Sequence, residues 1–287
     1  MIGLLWLLMP IVLVLVAGTC LSFHYTSRRP RTVFHVPAEY GLEGEEVTFT
    51  ASDGLELRGC WIPAARRPAP ALIVLHGHGG SLDGDLHRAP AFHEAGFDVF
   101  LFDFRAHGAS RGKVASFGWL ERNDVLGAVA YVRSRGSGRV GLLGFSYGGI
   151  AAMVAAPLCP DAHAVASDGG PARMRSAIAA RGAELHVPHW LSSFFAWLII
   201  AVTCLRMREN LFRYDAVRWV GRIAPRPILF IHGEDDAYLP DFDDLWNAAG
   251  QPKEAWRLPG VGHTKASEVY PEEFNRRVIA FFTRHLG

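Results

Sequence analysis

The sequence predicts an α/β fold with a mostly parallel central sheet flanked by helices, and two observations support this. Short apolar runs of strand length, such as residues 71–75 and 97–102, alternate with segments long enough to form helices, which is the pattern of βαβ units. Each run ends in a cluster of Gly, His or Asp residues. Because a parallel sheet gathers the carboxyl ends of its strands at one edge, we expect these clusters to lie together there.

The composition limits the class of protein. With 287 residues, half of them hydrophobic, the chain can form one large α/β domain or two small ones, with a sizeable core. A formal net charge of +1 gives no indication of nucleic-acid binding. The cysteines Cys20, Cys60, Cys159 and Cys204 are scattered and match neither a metal-binding pattern nor a disulfide framework. We therefore expect no cofactor, no metal and no nucleic-acid partner, and the oligomeric state stays open.

Residues 1–23 form a predicted transmembrane anchor, and residues 24–44 a linker. These 23 residues carry no charged side chain, and as a helix they would extend about 35 Å, enough to cross a hydrocarbon core of about 30 Å. A cleaved signal peptide is the alternative, but no Lys or Arg precedes the apolar run. Arg28, Arg29 and Arg31 follow it, which by the positive-inside rule places the remaining domain on the cytoplasmic side.

The rest of the chain, residues 45–287, is predicted to be one domain. Residues 46–50 and 55–62 predict an antiparallel hairpin across a turn at 52–54. The predicted strands that follow are 71–75, 97–102, 139–145, 162–166, 227–231 and 255–258. The predicted helices are 82–95, 119–135, 150–156 and 271–285. The segment 171–225 has the size of a helical cap inserted into such a domain.

Residues 144–148 read Gly-Phe-Ser-Tyr-Gly and match the G-x-S-x-G nucleophile elbow, a sharp turn from strand to helix that exposes a serine. An apolar run of strand length precedes the motif, and a small-residue run that suits a helix follows it. The glycines leave room for strand and helix to pass closely. An idle serine in a Gly-rich turn is the alternative, and the flanking runs favour the elbow.

With its later motifs, the elbow resembles that of the α/β-hydrolase superfamily, in particular the serine aminopeptidase and monoacylglycerol lipase-like serine hydrolases. Residues 232–236 (His-Gly-Glu-Asp-Asp) resemble the HGxxD segment of that family, and residues 262–263 resemble its Gly-His turn after the last strand. The resemblance implies an α/β-hydrolase fold in which Ser146 is the nucleophile, Asp236 the acid and His263 the base.

Three other residues are alternatives to these assignments. Asp235 could replace Asp236 as the acid, although it does not fit the HGxxD spacing. His232 and His285 could replace His263 as the base, although only His263 lies in a Gly-flanked turn between the last strand and the last helix.

The resemblance also implies an oxyanion hole formed by two backbone N–H groups. One belongs to Tyr147, directly after the nucleophile. The other belongs to His78, in the loop at residues 76–80 that resembles the HGxGG loop of the family. Residues 103–110 are similar to the family's D-x-R-G-x-G-x-S stretch with Ala106 in place of the first glycine, and we interpret them as a structural loop that braces the site.

A second uncharged run covers residues 190–205 in the predicted cap. As a helix it would be about 24 Å long, short for a membrane span. It is either a buried helix of the cap or a lid that lies against the membrane and walls an apolar acyl pocket. In the second interpretation, the wall of the acyl pocket is formed by the side chains of Phe194, Phe195, Trp197, Leu198 and Ile199.

The features together predict a membrane-anchored serine hydrolase that cleaves an ester, such as a lipid or acyl ester, through an acyl-serine intermediate. A peptidase or thioesterase of the same fold is an alternative. A protein of a different class, an anchored but catalytically silent domain that binds a partner or a lipid, is also open.

Overall fold

The computed structural model describes residues 2–30 and 35–287; Arg31, one of the residues used to orient the anchor, lies outside these ranges. The strands are β1 (Arg29–Pro30), β2 (Glu45–Thr50), β3 (Glu56–Ile62), β4 (Ala71–Leu75), β5 (Asp98–Phe102), β6 (His107–Gly108), β7 (Val140–Phe145), β8 (Ala162–Asp168), β9 (Ile228–Gly233) and β10 (Lys253–Leu258). The helices are α1 (Ile2–Thr26), α2 (Leu82–Asp85), α3 (Ala89–Glu94), α4 (Glu121–Ser134), α5 (Tyr147–Ala155), α6 (Met174–Glu184), α7 (His189–Met207), α8 (Phe242–Ala248), α9 (Ala266–Val269) and α10 (Pro271–Leu286).

Eight strands form one sheet in the order β10-β9-β8-β7-β4-β5-β3-β2. Strand β3 is antiparallel to both of its neighbours, and the remaining pairs, from β10 across to β5, are parallel. This confirms the predicted mostly parallel sheet and the predicted hairpin. The carboxyl ends of β4, β7, β8 and β9 therefore lie side by side.

Apolar layers cover both faces of the sheet. Along β4, Ile73 packs into the core beneath α4 and α5, whereas Leu72 and Val74 pack into the core beneath α3 and α10. Because successive strand residues point to opposite faces, a strand buried on both sides is apolar throughout. This explains why residues 71–75 form a continuous apolar run in the sequence.

The predicted single helix at residues 82–95 is wrong. The segment forms α2, a 3-10 turn at Leu86–Arg88, and then α3. Pro90 lies in the first turn of α3, where its missing N–H costs no hydrogen bond; inside a continuous helix it would remove one and clash with the preceding turn.

The N-terminal segment also differs from its prediction. Helix α1 continues to Thr26 rather than ending at residue 23, because residues 24–26 contain no helix breaker. The predicted linker at 24–44 is not a free tether, since β1 pairs with β6 and Pro37–Tyr40 forms a 3-10 turn. The segment after the helix is thus hydrogen-bonded to the loop that follows β5.

The predicted cap segment at residues 171–225 contains α6, α7 and 3-10 turns at Leu211–Tyr214, Ala216–Arg218 and Val220–Arg222. Helix α7 packs against both α6 and α1. By length and composition alone, Met9–Thr26 of α1 and His189–Met207 of α7 could each cross a membrane.

Candidate active site

Ser146 lies at the sharp turn between β7 and α5, with a strained backbone (φ 51°, ψ −110°). A Cβ at Gly144 would lie 2.4 Å from the carbonyl carbon of Gly148, and a Cβ at Gly148 would lie 2.1 Å from the carbonyl oxygen of Leu75. Neither position can carry a side chain without moving the backbone. The turn is also fixed to the next strand, because the Ser146 N–H donates to the carbonyl of Asp168 over 2.8 Å. This is the geometry of a nucleophile elbow.

A continuous chain of hydrogen bonds joins the three residues predicted as a triad. Ser146 Oγ lies 2.8 Å from His263 Nε2, and His263 Nδ1 lies 2.7 Å from Asp236 Oδ2. The other oxygen of the buried Asp236 carboxylate accepts the N–H of Tyr238 over 2.8 Å. Asp236 therefore holds the imidazole so that Nδ1 carries a proton and Nε2 can accept the proton of Ser146.

The alternative residues lie elsewhere. Asp235 is exposed. His232 stacks on the ring of Phe242 with centroids 4.0 Å apart, and His285 lies against Phe281 in α10. None of these alternatives hydrogen-bonds to Ser146 among the described residues.

The two residues predicted to form the oxyanion hole lie beside Ser146. Tyr147 is the first residue of α5, so its N–H is one of the free donors at a helix N-terminus. His78 lies in the loop after β4, and both residues line the same cavity as Ser146. Within the described ranges neither N–H is donated to a protein acceptor, so both remain available to a ligand.

The side chain of His78, to which sequence reasoning assigned no role, connects the oxyanion loop to the end of α1. Its Nε2 lies 2.8 Å from the carbonyl oxygen of Tyr25, and the two rings stack with centroids 6.4 Å apart. Since a carbonyl only accepts, Nε2 carries the proton. Burial lowers the pKa of His78, so the ring is neutral at physiological pH.

Two further buried imidazoles lie behind the loop. His76 Nε2 accepts the N–H of Phe104 over 3.0 Å, which places the proton on Nδ1 beside the carbonyl of Gly77. Burial lowers the pKa of His76 to about 4, and burial together with the nearby His76 lowers that of His107 to about 3. These neutral rings support the loops without bringing positive charge behind the oxyanion hole.

Residues 103–110 brace the site, as the sequence suggested. The buried guanidinium of Arg105 bonds the carboxylate of Asp124 through Nε (2.9 Å) and Nη2 (2.7 Å). Asp103 accepts the N–H groups of Leu82 and Ala109, both over 2.8 Å. Ala106, which replaces a glycine of the resembling pattern, has a left-handed backbone (φ 58°), the conformation that favours glycine.

A cavity of about 400 Å³ opens above Ser146, within the usual size range of ligand pockets. Besides Ser146, His263, Tyr147 and His78, its walls include His24, Tyr25, Arg29, Ile150, Pro171, Met174, Ala177, Ile178, Arg181 and Tyr238. The apolar wall is therefore contributed by α6 and α5. The predicted wall from Phe194, Phe195, Trp197, Leu198 and Ile199 is wrong, because none of them lines the cavity.

Sequence reasoning missed the contributions of α1 and α6 to this cavity. Tyr238 had a usable signal, since it lies two residues after the predicted acid. Tyr25 and Arg29 had none, because a residue at the end of an apolar helix gives no indication of where the helix end docks. Within residues 2–30 and 35–287, no group of three or more His, Cys, Asp or Glu side chains could hold a metal ion.

Comparison with known proteins agrees with this geometry. Residues 72–277 match the model of the alpha/beta hydrolase family. The uncharacterised protein YfhR of Salmonella typhi is 32% identical over 257 residues, which cover 85% of this chain and 83% of that protein. The polyketide transferase grgF of a Penicillium species is 28% identical over 296 residues, covering 86% of this chain and 98% of that protein.

Among solved structures, the esterase Pf2001 of Pyrococcus furiosus superimposes with a TM-score of 0.76 at 25% identity, covering 91% of this chain and 99% of that one. The family match spans well over half of the chain, and the strand-to-helix turn at Ser146 has the geometry of the nucleophile elbow known in this fold. The chain is a member of the alpha/beta hydrolase family.

Proposed function

We propose that the protein is a membrane-anchored serine hydrolase that cleaves acyl esters through a covalent acyl-serine intermediate. The observation that carries this proposal is the hydrogen-bond chain from Asp236 through His263 to Ser146, which ends at the floor of an open cavity. The likeness to a protein named as an esterase supports the ester chemistry.

Each residue has a defined task in this reaction. His263 Nε2 removes the proton of Ser146 as the oxygen attacks the acyl carbonyl, and Asp236 stabilises the imidazolium that forms. The N–H groups of Tyr147 and His78 stabilise the oxyanion. When the intermediate collapses, the imidazolium gives its proton to the departing alcohol. Water, deprotonated by the same imidazole, then attacks the acyl-serine. When this second intermediate collapses, the imidazolium returns the proton to Ser146 Oγ and the acid is released.

The walls of the cavity favour an acyl chain of medium length. Ile150, Met174, Ala177 and Ile178 give one apolar side, and each methylene buried against it contributes about 0.8 kcal/mol. The value of kcat/KM should therefore rise from acetyl to medium-chain p-nitrophenyl esters. If it falls instead, the apolar wall does not bind the acyl group.

A fluorophosphonate probe tests the nucleophile. We expect the full-length protein to react with it at Ser146, and the Ser146→Ala variant to lose both labelling and ester turnover, by about a million-fold in kcat. Turnover retained in a pure Ser146→Ala preparation contradicts the proposal, as does labelling at another residue. Release of the free acid distinguishes hydrolysis from transfer of the acyl group to an acceptor other than water.

The anchor is tested separately. We expect the full chain to stay in the membrane fraction after alkaline carbonate extraction, because a spanning helix inserts in an effectively irreversible way. Replacing the exposed residues Val12 and Val16 of α1 by Glu should release the protein while leaving the probe reaction intact. The proposed cytoplasmic position of the domain predicts that added protease digests it in inside-out vesicles but not in sealed cells.

A further inference from the structure

Helix α1 docks on the cap through three small residues spaced four apart. A Cβ at Gly18 would lie 2.6 Å from Leu198 of α7, and Ser22 Oγ lies 2.7 Å from Thr203 Oγ1. Arg206 donates to Ser22 Oγ over 2.7 Å and to Thr26 Oγ1 over 3.1 Å. Small residues at this spacing let two helices approach closely, as they do in membrane proteins. The register fixes the position of α7 relative to α1.

The sides of the two helices that face away from this contact are apolar and exposed. Residues 9–13 of α1 are exposed all around, so this part of the helix projects from the domain. On α7, the exposed large apolar side chains are Trp190, Phe194, Trp197 and Leu205, which are 72%, 44%, 49% and 81% exposed. Their spacing of four, three and eight residues keeps them on one side of the helix.

The cap that carries this apolar surface is strongly basic. Residues 171–225 contain eight arginines and three acidic residues, a net charge of +5, whereas the whole chain has +1. A groove of about 330 Å³ is lined by three of these arginines, one carboxylate and two aromatic side chains: Arg173, Arg175, Arg218, Asp215, Trp197 and Phe212. Arg175 and Arg218 therefore lie beside the exposed Trp197, and basic residues next to apolar ones are found on helices that lie in the surface of an anionic membrane.

We propose that the exposed side chains of residues 9–16 in α1 and of Trp190, Phe194, Trp197 and Leu205 in α7 form one lipid-facing surface that binds an anionic bilayer. Helix α1 inserts, α7 lies half-immersed beside it, and the cap arginines contact lipid phosphates. A second copy of the chain fits this surface poorly, because pairing two caps would bring two charges of +5 together.

Binding of the lipid-facing surface to a bilayer also determines from which side a substrate enters the cavity. This step rests on the proposed hydrolase function. The end of α1 (His24, Tyr25) and the α6 residue Arg181 line the cavity above Ser146. When the lipid-facing surface is bound, the mouth of the cavity lies level with the lipid headgroups. The substrate is then an amphiphile that enters from the bilayer, with its acyl chain against α6 and its polar group toward the arginines.

The lipid-facing surface is tested with a fluorophore that reports contact with lipid. Single cysteines labelled with NBD are placed at Trp197→Cys and Leu205→Cys in the full-length Ser146→Ala protein, with Cys20 and Cys204 replaced by Ser. Leu158→Cys is the matched control. Leu158 is an exposed apolar residue four positions before β8, and it therefore lies near the amino end of that strand, whereas the cavity lies at the carboxyl ends. The protein is reconstituted into vesicles of phosphatidylcholine and phosphatidylglycerol that contain doxyl-labelled lipid.

We expect NBD at residues 197 and 205 to shift its emission to shorter wavelength and to be quenched by the doxyl lipid, and NBD at residue 158 to do neither. Quenching at Val12→Cys without quenching at 197 and 205 would overturn the lipid-facing surface while leaving the anchor intact. A blue shift at 197 and 205 without lipid quenching would also overturn it, because a second protein copy would then cover α7. Since the variant is inactive by design, none of these outcomes depends on hydrolysis.

A separate pair of variants tests whether the cap arginines contribute to binding of anionic lipid. The double variant Arg175→Gln/Arg218→Gln should lose the extra quenching at residue 197 that anionic lipid produces over pure phosphatidylcholine. The double variant Arg276→Gln/Arg277→Gln removes the same charge from α10 and should keep it. Equal quenching in both double variants contradicts recognition of anionic lipid by the cap.

Discussion

The carboxyl edge of the sheet and the layer formed by α1 and α7 use polar and apolar side chains in opposite ways. At the sheet edge, polar groups such as Asp103, His76 and Asp236 are buried, and each is held by hydrogen bonds to neighbouring loops. In the helical layer, apolar groups such as Trp190 and Leu205 are exposed. Burying a polar group is tolerated only with hydrogen-bond partners, and exposing a large apolar surface indicates that something covers it. The polar groups of the sheet edge are therefore held in place by other parts of the protein, whereas the apolar groups of the helical layer require a partner outside it.

The largest expected effects lie at the sheet edge. His263→Ala should reduce kcat as much as Ser146→Ala does, because without the base the serine is not activated. Asp236→Asn should cost about 10⁴-fold, since the imidazole is then held in the wrong tautomer. Asp235→Asn, one position away and exposed, should remain close to wild type. Steady-state kinetics on one ester compare the three variants, and a larger loss for Asp235→Asn would mean that the acid is assigned to the wrong residue.

Substitution of His78, whose side chain joins the two regions through its contact with Tyr25, should have an intermediate effect on kcat. His78→Phe keeps the ring but removes the N–H that binds the carbonyl of Tyr25. The oxyanion loop then loses its attachment to α1, and we expect kcat to fall between about tenfold and 100-fold with little change in KM, because the oxyanion N–H acts mainly on the transition state. His78→Gln retains a donor and should recover most of the activity. Equal losses in both variants, or a loss confined to KM, would show that the contact does not position the loop.

Asp168, the last residue of β8, should lower the free energy of unfolding by an amount that depends on pH. Burial raises its pKa to about 7, and Oδ2 has no hydrogen-bond partner within the described residues. A carboxyl group whose pKa is raised in the folded state destabilises the fold increasingly as pH rises from its unfolded pKa, about 4, through about 7. Asp168→Asn stays uncharged, so its stability relative to wild type should improve by about 2.6 kcal/mol between pH 5 and pH 8.

Melting temperatures in detergent at the two pH values measure this difference. Asp161→Asn removes an exposed carboxylate before the same strand and should show no such trend. A difference for Asp168→Asn that does not change with pH would mean that Asp168 is ionised throughout or that its proton is held by another group.

The sheet edge could be predicted closely from the sequence. Of the helical layer, the two apolar helices could be predicted, but the way in which they dock could not. Buried strands leave local signals, because apolar runs such as residues 71–75 end at glycines and polar residues that the next loop requires. The order of the motifs then gave Ser146, Asp236 and His263, which the structure brings together. Helix docking leaves no comparable signal. That Tyr25 would line the cavity, or that α6 rather than α7 would supply its apolar wall, depends on how separate segments pack against one another, as in the contact of Tyr25 with His78.

The smallest expected effect is a difference in stability between two glycine variants in the loop before His263. Gly260 and Gly262 lie on either side of Val261 and look equivalent in the sequence. Gly260 has φ +73°, whereas Gly262 has no positive φ, and an added Cβ at either position meets no atom within 4 Å. Gly260→Ala should therefore lower the free energy of unfolding by about 1 kcal/mol through backbone strain alone. Gly262→Ala should leave it unchanged or raise it by about 0.5 kcal/mol, because alanine restricts the unfolded chain. Melting temperatures of the two variants decide this, and a larger loss for Gly262→Ala would mean that the loop before His263 has a different backbone from the one described.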